Sequence, residues 1–236
     1  MRSCLIQMLI LLVVAFALLW FGLPVGASWL ATNAINASGF SGTDTKVTVS
    51  ENPPPLLLTG HADTIRITST QASVGDLHAT TLDFSLGKVS LLDRTVGTID
   101  GTMTGVKMPA PDGMTVTVDS ATVKGAANSA QATLKLAKSE VETLGAQQLK
   151  SQTGINSTVV LTAPNKVTLK VSGRSEPGTL VVKNGELDLV PDGAGLPTAT
   201  LLKSGDGNPF TLQSVTIDGN VVTLIGRIDV EKLLGI

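Results

Sequence analysis

The sequence predicts an α+β fold that is mostly β, an antiparallel sheet with one amphipathic helix behind an apolar amino-terminal segment. Three observations carry this. From residue 61 onward the chain alternates apolar and polar residues at period two. Two apolar runs meet at short turn pairs, in LVVKNGELDLV (180–190) and VTIDGNVVTLIGRIDV (215–230). A single helical stretch, SEVETLGAQQLKSQTG (139–154), interrupts the pattern, and no βαβ rhythm appears.

The amino terminus comes first. Residues 4–23, CLIQMLILLVVAFALLWFGL, hold no charged side chain, and Arg2 precedes them. Residues 1–27 read as a targeting segment. VGA at 25–27 suits signal-peptidase cleavage after Ala27, and the apolar run is also long enough to span a bilayer as a helix. Signal peptide and transmembrane anchor both stay open. In either case the charge order leaves residues 28–236 outside the cytoplasmic membrane, anchored or secreted. Cys4 is the one cysteine and lies in this segment, so the exported part has no disulfide and needs an ordinary core.

Next, PVGASWLATNAINASGF (24–40) reads as a short helix started by Pro24 and stopped by Gly39. Pro53-Pro54-Pro55 cannot sit inside a sheet and predicts a rigid polyproline connector or an edge. In LDFSLGKVSLL (82–92), Leu82, Phe84 and Leu86 share one face, and Val89 and Leu91 resume the alternation one residue out of phase. That predicts a strand bent at Gly87-Lys88. A Gly/Thr strand follows (95–109), then strands around Val116 and Val118 and around Val167, Leu169 and Val171. Asn184-Gly185 suits a type I′ turn, and Asp218-Gly219-Asn220 turns the last hairpin. In the helix, Ser139 and Glu142 have capping-box spacing; Val141, Leu144, Gly145, Gln148 and Leu149 share a face, and Gly154 is placed to end it. No repeat and no Gly/Ser linker divides the chain, so it reads as a single domain.

Composition excludes more than it names. The formal charge is −2 with no basic run, and aromatics make up 3% with no Tyr, which argues against nucleic acid. Charged residues are 15%, below the roughly 25% usual for soluble domains. His61 and His78 are the two histidines; HExxH, CxxC, G-x-S-x-G and Walker motifs are all missing. The chain therefore reads as non-enzymatic, without metal or cofactor. His78 near Asp76 and Asp83 is the one start for a hydrolase scheme, and its ordinary reading is a surface histidine on a strand. Asp93-Arg94 reads as a solvated turn pair, or as a polar mouth where Arg94, with Lys88 and Lys107, holds a phosphate head group.

An apolar face of Val, Leu and Ile must be covered. The sheet can close on itself as a dry sandwich, or curve around the helix and leave a tunnel for an acyl chain. Periodicity does not choose between these.

The segment GDLHATTLDFSLGKVSLLDRTVGTIDGTMTGVKMP (75–109) resembles the LmeA-like phospholipid-binding family of bacterial envelope proteins. The resemblance extends through the helix at 139–154, the strand at 166–172, GELDLVP (185–191) and FTLQSVTIDGNVVTLIGRI (210–228). It implies a tubular lipid-binding-like domain over 28–236: a long curved antiparallel sheet wrapped around the amphipathic helix. It also implies a membrane-associated binder of a phospholipid or similar amphiphile. The expected groove lining is Leu82, Phe84, Leu86, Val89 and Leu91, with Val141, Leu144 and Leu149 from the helix. The alternative is a dry structural or adhesive envelope module.

Overall fold

The computed structural model describes residues 25–28, 32, 40–74, 77–90, 92–93, 95–193, 195–203 and 210–228. Residues 1–24 of the expected targeting segment (1–27) lie outside them, as does most of the 24–40 stretch read as a short helix, although residues 25–28 and 32 are helical. Among the described residues no helix is long and apolar enough to cross a membrane.

The chain is mostly β, in two antiparallel sheets. Six strands form a meander: β1 (Phe40–Ser50), β2 (His61–Val74), β3 (Leu77–Ser90), β4 (Thr95–Pro109), β5 (Thr115–Ala126) and β6 (Ala130–Ala137). The chain then leaves the sheet through the helix α1 (Lys138–Thr153). It builds a smaller sheet from β7 (Ser157–Thr162), β8 (Lys166–Val171), β9 (Arg174–Lys183), β10 (Glu186–Pro191) and β11 (Ala199–Leu202). It returns as β12 (Phe210–Asp218) and β13 (Val221–Ile228), and β13 pairs with β6. The long sheet runs β1-β2-β3-β4-β5-β6-β13-β12, and the small one β11-β10-β9-β8-β7. Two backbone bonds join them: Leu212 N–H donates to the Gly185 carbonyl (3.2 Å) and Ile217 N–H to that of Pro164 (2.6 Å).

The turns follow the sequence. Lys183 pairs with Glu186 across Asn184 (φ 54°) and Gly185 (φ 81°), the double positive φ of a type I′ hairpin. Asp218 pairs with Val221 across Gly219-Asn220. Strand β6 alternates Ala130, Ala132, Leu134 and Leu136 with Gln131, Thr133 and Lys135, whereas β7 and β11 carry no strong alternation in sequence and are defined by their neighbours in the sheet.

The long strands are creased rather than flat. Lys88 has φ 54°, which places the bend where the sequence puts it, and Gln71 (φ 49°) and Gly105 (φ 56°) repeat the device on β2 and β4. The ladders keep register through these points. Thr64↔Gly87 and Ala62↔Val89 leave Asp63 opposite Lys88, and Thr98 and Val96 flank Gly97 on its other side. Gln71, Thr80 and Gly105 line up in the same way further along. Two transverse creases thus cross the long sheet. Glycine is required on β4 because the strands approach closely there: a Cβ on Gly97 would lie 2.8 Å from Lys88 Cβ, and one on Gly105 would overlap Thr80 Oγ1.

Helix α1 buries Val141, Leu144, Gly145, Gln148 and Leu149, the face its periodicity indicates, and ends at Gly154 with φ 71°. Its neighbours correct the expected geometry. It lies chiefly against β7 and β11 of the small sheet, and meets the long sheet mainly along β5, β6 and β13. A Cβ on Gly145 would come 3.2 Å from Leu189 Cδ1, so this glycine lets the helix settle close to the small sheet.

The capping box does not form. Ala137 occupies the N-cap with no side-chain cap, and Lys138 N–H is satisfied by the Asn220 carbonyl at 2.8 Å. The carboxylates serve strand ends instead. Glu142 accepts from Leu161 N–H (2.8 Å) on an edge strand of the small sheet, and Glu140 accepts from Thr117 N–H (2.8 Å), where β5 extends beyond its pairing with β6. Unpaired strand N–H groups compete for these acceptors because leaving them unmet costs more than an uncapped helix end that has a backbone acceptor.

The proline segment is also corrected. Pro54–Thr59 is a turn of 3₁₀ helix, with Leu56 N–H to the Pro53 carbonyl at 3.0 Å and Gly60 N–H to that of Leu57 at 3.1 Å. Prolines fit a first helical turn because the N–H they lack has no partner there.

Candidate functional site

Two apolar clusters divide the interior. The first joins α1, the small sheet and the adjoining parts of the long sheet, and is built on leucine: Leu136, Leu149, Leu161, Leu169, Leu180, Leu187, Leu189, Leu201 and Leu224 are each under 2% exposed. The second lies toward the other end of the long sheet, built from Val47, Val49, Ala62, Ile65, Val89, Val96, Ile99 and Val123, with alanines from β6 and the β5–β6 turn. Around it sit apolar side chains that are only partly covered: Ile67, Phe84, Leu86, Phe210 and Ile228.

The register explains this row. Ile65 pairs with Leu86, Ile67 with Phe84 and Ser69 with Leu82. On the next strand Leu86 pairs with Ile99, Phe84 with Gly101 and Leu82 with Met103. An apolar strip therefore runs across β2, β3 and β4 between the creases, half-buried at Ile67, Leu82, Phe84, Leu86 and Met103. The phenylalanine ring lies over the strand beside it: a Cβ on Gly101 would overlap Phe84 Cδ1 and Cε1. Phe210 does the same over Gly226, where a Cβ would fall 2.9 Å from its ring. In a chain with five phenylalanines, the three beyond residue 27 (Phe40, Phe84 and Phe210) all lie half-buried against these clusters. That scarcity is the signal by which Phe40 and Phe210, absent from the expected lining, were open to detection.

The expected groove residues divide between the clusters. Leu82 packs against the first cluster, with Val141, Leu144 and Leu149 fully inside it; Phe84, Leu86 and Val89 belong to the second. Leu91 lies outside the described residues.

The head-group residues are not gathered either. Lys88 lines an open hollow of about 410 Å³ at the first crease, with Glu51, Leu56, Thr59, His61, Ala62, Asp63 and Val89. Lys107 lines one of about 330 Å³ at the second crease, with Gln71, His78 and Thr80 among its walls. Lys88 faces Gly97 in the register, ten residues from Lys107 along β4, roughly 30 Å of strand. Arg94 lies outside the described residues, and Asp93 accepts from Ser90 Oγ at 2.8 Å. One Glu51 carboxylate oxygen is buried without a hydrogen-bond partner behind the first hollow.

The histidines fall in different hollows, and His61 Nδ1 lies 3.1 Å from both Thr59 Oγ1 and the Thr59 carbonyl. Among the described residues no three His, Cys, Asp or Glu side chains are grouped to hold a metal. The outer face of the long sheet is polar. Arg66 holds Asp83 through two bonds, Nε–Oδ1 at 3.0 Å and Nη2–Oδ2 at 2.7 Å. That contact keeps the Asp83 carboxyl below its ordinary range and raises the Arg66 guanidinium.

Compared with known families, with characterised proteins and with solved structures, the chain matches none.

Proposed function

We propose that the chain is a non-enzymatic, membrane-associated phospholipid binder outside the cytoplasmic membrane, carrying or presenting lipid in a bacterial-type envelope. The observation that supports this is the half-buried strip Ile67, Leu82, Phe84, Leu86 and Met103 between the creases. Apolar side chains on the inner face of a sheet are normally covered by a second layer. In this reading an acyl chain supplies the missing cover. Each methylene taken from water contributes about 0.8 kcal/mol, so retention needs no catalytic group. The groove is assigned to the second cluster and its strip rather than to the face of α1, which is filled by leucines of the small sheet. In this reading Lys88, which lines the first hollow, would meet the phosphate.

The alternative is a dry envelope module, and the closed leucine cluster favours it. One experiment separates the two. The folded full chain is released from its first 27 residues by a protease site introduced after Ala27, then taken to native mass spectrometry and solvent extraction. A stoichiometric phospholipid is the expected result. A bare protein that takes up no lipid from vesicles sinks the carrier reading and leaves the dry module.

A further inference from the structure

We infer that the end of the long sheet carrying the β1–β2 and β3–β4 connections docks into the surface of a lipid bilayer. The first observation is a local concentration of exposed apolar side chains. Among the described residues, four of the large exposed hydrophobics stand at Val25 (71% exposed), Leu56 (42%), Leu58 (68%) and Leu92 (76%). Leu56, Leu58 and Leu92 share one tip. His61 pairs with Ser90, and Ser90 with Thr95, so the two connections leave the sheet side by side. They also touch: a Cβ on Gly60 would lie 2.9 Å from Leu92 Cγ. The remaining exposed large hydrophobics, Leu77, Ile155 and Val221, lie on β3, after α1 and on β13, and are 38–43% exposed.

The second observation is why the leucines face out. Leu56-Leu57-Leu58 lie on a 3₁₀ turn, where three residues complete one revolution and point in three directions. Leu57 packs against the second cluster. With Leu57 fixed inward, its two neighbours are held outward by backbone geometry, so the tip cannot bury them by a rotamer change.

The third observation supplies the occupant. The apolar run 4–23 ends just before residues 25–28, and those residues sit on this part of the sheet. Ala27 packs against the same cluster as Leu57. Ser28 Oγ accepts from Val49 N–H at 2.9 Å, tying the segment to β1 five residues before Pro54. A run long enough to cross a bilayer therefore leads into the molecule beside the leucine tip, and the nearest surface to that tip is the membrane itself. The polar groups behind the tip carry both signs (Glu51, Asp63 and Asp93 against Lys88), so the contact is apolar rather than electrostatic.

The inference rests on reading residues 1–27 as a membrane-directed segment and not on lipid occupancy of the groove, which extraction tests separately. The test uses the full chain with Cys4→Ser, reconstituted in phosphatidylcholine nanodiscs. An environment-sensitive fluorophore is placed at Leu58→Cys, Leu92→Cys or, as the far-end control, Thr115→Cys. All three positions are exposed, so labelling leaves the core intact. The expected result is a blue shift and quenching by lipid-borne doxyl groups at 58 and 92, with iodide quenching at least fivefold weaker than at 115. Equal iodide access at all three sites, with no doxyl quenching at 58 or 92, overturns the docking.

Discussion

The two apolar clusters are made differently, and the difference bears on where a ligand would find room. The cluster around α1 is closed at its centre, where sheet, helix and sheet meet over leucines that reach almost no solvent; Leu82 and Met103 lie partly covered at its border. The cluster toward the tip is built from valine, alanine and two isoleucines, with the Phe84 and Phe210 rings laid across glycines beside it and a rim left half-open. Long, flexible apolar side chains fill the space between two layers. Short ones lining a single curved layer leave space that only a few large side chains enter. A protein interior packed to ordinary density has no room for an acyl chain, so under the proposed reading the rim of the second cluster, not the closed centre of the first, would take the cargo.

The largest effect sharpens this contrast. Leu189→Ala, in the closed cluster against α1, is expected to cost about 2–5 kcal/mol by denaturant or thermal unfolding. Phe84→Ala on the half-open rim is expected to cost only about 1 kcal/mol, because its ring is already part-solvated. It should also lower co-purifying lipid by roughly tenfold, a loss of about 1.4 kcal/mol. If the two substitutions cost the same and lipid content does not respond, the clusters are equivalent and the contrast fails.

A middle-sized effect probes the ring packing. Gly101→Ala places a methyl where the Phe84 ring lies and should cost about 1–3 kcal/mol through displaced packing. Combined with Phe84→Ala the penalty should largely vanish, since the overlapping atoms are gone. A double variant showing the full sum of both losses would assign the cost to the β4 backbone instead.

The smallest effect concerns the outer face. Asp83 is depressed by Arg66, so its folded pKa lies below its unfolded value near 4. Its contribution is therefore present above the unfolded value and is lost as pH falls through the folded one. The pair is solvent-exposed, so the change is small. Thermal midpoints of the native chain and Asp83→Asn should converge as pH drops from 6 to 3; midpoints that move further apart would contradict the sign.

Much of the fold was legible in the residues because its signals are local. Alternation fixed which residues of β3 share a face, Asn184-Gly185 fixed a hairpin, Gly87-Lys88 marked the crease, and the face of α1 followed from 3.6-residue spacing. Each depends on backbone geometry within a few neighbours. The site was legible only in part. Leu82, Phe84 and Leu86 were assigned to one inner face, but nothing local reveals that Leu82 meets the cluster of α1 while Phe84 and Leu86 meet another.

What the sequence by itself determined was the class of each element: strands, an amphipathic helix, tight turns, an apolar amino-terminal run. What only the tertiary structure decided was who covers whom. Helix α1 turned to the small sheet because Gly145 permits close approach to Leu189 there. Glu142 left its helix cap because a strand N–H 19 residues away needed an acceptor. Pro54 and Pro55, behind an extended Pro53, opened a 3₁₀ turn that holds Leu56 and Leu58 outward. Burial and hydrogen-bond satisfaction are settled between segments distant in the chain, and a residue's local pattern is compatible with many partners until packing selects one.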